Sequence, residues 1–180
     1  AYPTVSAPYG LVPVNSLDGK PYAGAIRQIP VAVGYATAIF NGDTVLIDST
    51  GYLVKSTTTN SGNIVGVVVG GQYTNSSGQL VQGQYIPALA STSTNEAVAF
   101  VVDDQQALFK VAVVTSGTTM GTASRADVGS NVALVLNAGS TTTGDSAFAV
   151  TLTGAGTTAT IPLRVIDVVP ATATSTGVYT

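Results

Sequence analysis

Nearly every apolar run in this chain is short, rich in valine, and halted by a patch of Thr, Ser, Gly or Asn. β-Branched side chains are stiff about χ1 and suit a pleated surface, whereas small hydroxylated residues beside glycine bend cheaply. No run of ten or more helix formers keeps the 3.6-residue period, so the sequence predicts an all-β fold with at least nine strands. One helical turn is expected around residues 124–128. A closed barrel or a two-sheet sandwich buries such strands and limits free edges, and the barrel-like body is the favoured form.

Punctuation along the chain divides it into an extended arm (1–30), a β-rich body (31–170) and a tail (171–180). Pro3, Pro8, Pro13, Pro21 and Pro30 rule out a continuous helix in the first thirty residues and keep them off a central strand. In the body, Asn41-Gly42-Asp43 marks a hairpin between residues 35–40 and 44–47, and Ser49-Thr50-Gly51 marks the next. Residues 64–69 read as an interior strand apolar on both faces, with Gly66 marking a bulge or a close backbone approach. Residues 75–78 close a further hairpin. In the second half, residues 132–136, 147–152 and 160–169 are strands, with turns at 118–122, 139–144 and 153–158.

The residue inventory removes much of ordinary catalysis. With no His and no Cys, imidazole chemistry, thiol nucleophiles and Cys/His metal sites have no ligands. Asp103-Asp104 is the most suggestive acidic pair, but consecutive strand residues face opposite ways and no third carboxylate completes a calcium loop. It reads as a turn or an intersubunit salt-bridge site. A two-carboxylate glycosidase is the nearest enzymatic alternative, and it lacks tryptophan for a sugar platform. The chain is read as a non-enzyme with no cofactor and no metal. A net charge of −3 and six scattered basic residues argue against direct nucleic-acid binding. The most apolar stretches, residues 29–40 and 64–71, are too short to cross a bilayer as helices. A mean hydropathy of +0.39 with only 8% charged residues favours burial against other chains.

Four stretches carry a family resemblance: Pro8-Tyr9-Gly10-Leu11-Val12-Pro13-Val14; Gly34 through Asp43 (GYATAIFNGD); Phe100-Val101-Val102-Asp103-Asp104 with Leu108-Phe109-Lys110-Val111; and Leu163-Arg164-Val165-Ile166-Asp167-Val168. Together they resemble the capsid cement, or head-decoration, proteins of tailed bacteriophages, especially cyanophage-like ones, over residues 8–169. Asp103-Asp104-Gln105 departs from the family's Asp-Asp-Pro step, and Tyr85-Ile86-Pro87 from its Tyr-Trp-Pro-like step. The resemblance implies a virion protein on the outer capsid surface, bound to the major capsid protein and assembled as a homotrimer. The number three rests on the resemblance alone. The alternative is a tail, fibre or baseplate β-module that binds a glycan.

The arm supplies the expected contact residues. Prolines restrict its free conformations and aromatic rings bury large areas, so Tyr2, Pro8, Tyr9, Leu11 and Val12 are expected to reach a neighbouring subunit or the capsid floor. The competing reading has the same residues closing one end of their own body.

Overall fold

Short β-branched runs do become strands, and their pairing divides the chain into two cores. A computed structural model describes residues 8–59, 63–89 and 95–172. Thirteen strands lie among them: β1 (Val12–Ser16), β2 (Arg27–Val31), β3 (Thr44–Ile47), β4 (Leu53–Lys55), β5 (Gly66–Thr74), β6 (Leu80–Gly83), β7 (Ala97–Val102), β8 (Ala107–Lys110), β9 (Val114–Ser116), β10 (Thr119–Met120), β11 (Asn131–Val135), β12 (Ala149–Gly156) and β13 (Leu163–Arg164). The largest sheet runs β2-β7-β5-β3-β4, with β6 also on β5, and a three-stranded sheet runs β12-β11-β13. β1 with β8, and β9 with β10, form two-stranded ribbons. All these pairings are antiparallel.

The sheets stay open, which corrects the barrel expectation. The six-stranded sheet ends at β2 and β4, which do not pair with each other. β2 contains Pro30, which has no N–H to offer, and β4 is only three residues long. Both are edge strands for plain reasons. β2 also carries regular pairing across residue 30, where the sequence placed the boundary between arm and body.

β5 organises the interior. Its adjacent Val67 and Val68 point to opposite faces, as strand geometry requires, and both are buried. Val68 joins the first core with Ile29, Val31, Val45, Leu53 and Val101, roofed by Ile39, Ile86 and Leu89. Val67 joins the second with Leu11, Val132, Leu134, Phe148 and Val150. Gly66 and Gly71 permit the close packing: a Cβ on Gly66 would lie 2.2 Å from the Val102 carbonyl oxygen, and one on Gly71 2.5 Å from Ile86. The bulge itself falls between Val68 and Gly70.

Residues 35–40 do not form the expected hairpin with β3. The turn is present, with the Asp43 N–H donating to the Phe40 carbonyl at 3.1 Å and Gly42 at φ +92°. The preceding chain instead crosses over the first core, where Ile39 and Ile86 exchange backbone hydrogen bonds of 2.9 and 2.8 Å. The β3–β4 and β5–β6 hairpins form where the sequence placed them. The helical turn is a 3-10 turn at Arg125–Asp127, closed by a capping box between Ser124 and Asp127. Residues 119–120 and 153–156, expected as turns, lie in strands. The turn before β10 centres on Gly117 at φ +53°, and β12 runs on through Gly154 at φ +78°.

Candidate functional site

The chemistry-bearing groups that come together do so beneath the N-terminal segment. Asp43 is completely buried. Its Oδ2 accepts from the Phe40 N–H at 2.8 Å and from Lys55 Nζ at 2.7 Å, and its Oδ1 accepts from Ser146 Oγ at 2.6 Å. Ser146 Oγ in turn accepts from the Phe148 N–H at 3.0 Å. Lys55 Nζ lies 4.8 Å from the Phe148 ring centroid and 5.1 Å from that of Phe40, so two aromatic faces attract the ammonium. A buried carboxylate is tolerated only when paired and hydrogen-bonded, and both oxygens here are satisfied by the protein itself. This node ties the turn after residue 40, the end of β4 and the segment leading into β12; its geometry is that of an anchor.

The N-terminal segment lies on that anchor. Gly10 donates to the Phe148 carbonyl at 3.1 Å and Leu11 to the Gly42 carbonyl at 3.0 Å. Gly10 has φ +78°, and a Cβ there would sit 2.7 Å from Ser146 Cβ, so this crossing requires glycine. Of the expected contact residues, Pro8 is buried and Leu11 is 1% exposed within the second core. Tyr9 is half-buried, with Lys110 Nζ 5.5 Å from its ring centroid, and burial pushes its phenol above the ordinary value of 10.0. Val12 is 39% exposed at the start of β1. Tyr2 lies outside the described residues. The side chains of Pro8 and Leu11 are thus enclosed by their own subunit, and the outward apolar surface of this segment belongs to Val12 and its successors.

Those successors form a tongue. β1 pairs with β8, the Tyr22 N–H donates to the Val14 carbonyl at 3.4 Å, and Ser16 and Lys20 close the tip through a 2.8 Å backbone bond. Val14 and Leu17 are 42% and 54% exposed. Elsewhere, a groove of about 360 Å³ opens beside the anchor, lined by Thr37, Ser56, Thr57, Leu136, Ala138 and Phe148 among others. Sequence reasoning found neither the Asp43–Lys55–Ser146 node nor this groove. Asp43 reads as a turn residue, which it also is, and nothing in the spacing of Lys55 and Ser146 announces their convergence.

The carboxylates singled out earlier separate. Asp103 pairs with Arg27 Nε at 2.7 Å, while Asp104 accepts from the Gln106 N–H at 2.8 Å in a turn. Among the described residues no three acidic side chains gather as metal ligands would. No helix there is long and apolar enough to cross a membrane. No protein-family model, no curated protein and no solved structure matches this chain.

Proposed function

We propose that this chain is a structural virion protein: a capsid cement protein that binds the major capsid protein on the outer surface of the shell and resists separation of its subunits. The observation that carries this reading is the resemblance of the four sequence stretches to the cement proteins. Pro13 pairs with Phe109 across the β1–β8 ribbon, and Leu11 hydrogen-bonds to Gly42. Leu11, Phe109, Val111, Leu163 and Val165 all pack in or against the second core. Ile39 and Val101, from the other parts of these stretches, lie in the first core, so the stretches are shared between the two cores and meet at the Leu11–Gly42 hydrogen bond. A stiff frame with apolar surface outside it suits a part that works by distributed contacts rather than by a reactive pocket.

Particles assembled with and without the protein test this directly. The depleted particle is expected to release its DNA at a lower temperature than the complete one, and equal thermal release would refute the stabilising role. Copy number, read by densitometry of purified particles, separates a cement protein present in hundreds of copies from a tail or fibre component present in a few tens at most.

A further inference from the structure

We infer that Asp43 and Lys55 become covalently joined: the Lys55 amine condenses with the Asp43 side-chain carboxyl to form an isopeptide bond within the subunit. The reacting groups are already in contact. Lys55 Nζ lies 2.7 Å from Asp43 Oδ2, and the two side chains are 12% and 0% exposed, so little water competes for either. Phe40 and Phe148, with ring centroids 5.1 and 4.8 Å from Nζ, wall the amine in and limit the directions in which it can swing. Two groups held in one geometry react as if at effective concentrations of up to about 10⁵–10⁸ M, so no external activation is needed to bring them together. The other lysine–carboxylate pair among the described residues, Lys20 with Asp18, has the same 2.8 Å closeness but a lysine side chain 79% exposed. Enclosure, not proximity alone, singles out Lys55.

The step balances without any added reagent. A proton passes from Nζ to Oδ2, the freed amine nitrogen attacks Cγ, and negative charge gathers on Oδ1. The Ser146 hydroxyl, 2.6 Å from Oδ1, faces that charge as an oxyanion donor. Because Ser146 Oγ accepts from the Phe148 N–H at 3.0 Å, its own proton is left to point at Oδ1. A second proton then moves from the nitrogen to Oδ2, the Cγ–Oδ2 bond breaks, and Oδ2 leaves as water. One ammonium and one carboxylate become one neutral amide and one water. A buried ion pair carries a desolvation cost that a neutral amide escapes, which favours the product. The groove lined by Lys55 and Phe148 opens beside the amine and gives the water an exit. The new bond ties the last residue of the edge strand β4 to the turn before β3, the same turn that accepts the hydrogen bond from Leu11. An edge of the six-stranded sheet is thereby clasped covalently to the seam between the two cores.

The inference does not depend on the capsid reading, and the mass of the purified full-length chain tests it. The natural chain is expected to weigh one water less than its sequence. Lys55→Arg keeps a cation beside Asp43 but lacks the amine, and it should show the full mass. Trypsin acting on the denatured natural chain is expected to cut after Arg27 and Lys110 yet spare the bond after Lys55, releasing residues 28–110 as one internally closed peptide. Position matters, because Asp18-Gly19 is a sequence that can also lose water, as a cyclic imide. A natural chain of full mass overturns the inference, and so does a deficit that maps to the peptide ending at Lys20 with normal cleavage after Lys55. Rate then tests the role of Ser146. In chains made by cell-free synthesis and followed by mass over time, Ser146→Ala should close on the order of 100-fold more slowly, the loss that removing one oxyanion donor brings. Circular dichroism checks the fold of that variant, and equal rates would overturn the role given to Ser146. Urea unfolding by itself does not separate bond from ion pair, since substituting either partner removes both.

Discussion

Removing the Asp43 carboxylate leaves the Lys55 ammonium enclosed by two aromatic rings with no counter-charge, and removing Lys55 leaves a fully buried carboxylate short of its cation. Breaking one side of such a pair costs about 3–5 kcal/mol, whereas replacing both partners with apolar residues is often far less harmful. Asp43→Leu and Lys55→Met are each expected to lower stability by that amount in urea unfolding, and the double variant by clearly less than their sum. Tyr9 gives a pH signature at the same scale. Burial raises its phenol above 10.0, so the folded state holds the proton more tightly than the unfolded state. Its contribution is complete below pH 10.0 and fades as pH climbs through the folded value. Alkaline unfolding should therefore be steeper for the natural chain than for Tyr9→Phe, and identical profiles would remove Tyr9 as the cause. Asp48 behaves oppositely: hydrogen bonds from the Thr50 side chain and then its N–H hold its carboxyl below 3.8. Stability from that turn is present above pH 3.8 and is lost as pH falls through the folded value, a dependence that Asp48→Asn should abolish.

At the scale of elements, what a strand or turn needs locally was legible, and what it pairs with often was not. Gly51 and Gly78 adopt positive φ in the hairpins that their sequences announce, and Gly66 makes the close approach that its place in a valine run implies. Residues 35–40 carry the same local signal as a hairpin arm, yet they cross the first core, because Ile39 finds Ile86 and Asp43 turns its carboxylate back onto Phe40. Those partners lie far along the chain or in side-chain geometry, where periodicity carries no information. The proline-rich beginning shows a related limit: its composition marks it as extended, but burial of Leu11 depends on Phe148 and Leu134, more than a hundred residues away. The cost of removing that contact is measurable. Leu11→Ala is expected to destabilise the fold by about 2–5 kcal/mol, as other buried leucines do when truncated. Val12→Ala, at an exposed position, should change stability by no more than about 0.5 kcal/mol.

For the whole molecule, the controlling fact is that few cations are left to interact with anything outside. Four of the six basic residues are ion-paired within the chain: Lys20 with Asp18, Arg27 with Asp103, Lys55 with Asp43 and Arg125 with Asp167. A surface of this kind is steered weakly by long-range fields and held by apolar contact once docked. Salt then separates the two kinds of attachment. Raising ionic strength from about 0.1 M to 1 M shortens the screening length from about 10 Å to about 3 Å, which weakens exposed ion pairs and leaves apolar burial intact. Under the proposed cement role, self-association and occupancy on capsid particles are therefore expected to hold steady or tighten across that range, measured by sedimentation and by the protein retained on washed particles. If occupancy instead falls with salt while self-association persists, the shell is gripped through the remaining free charges, of which Lys110 and Arg164 are the basic candidates.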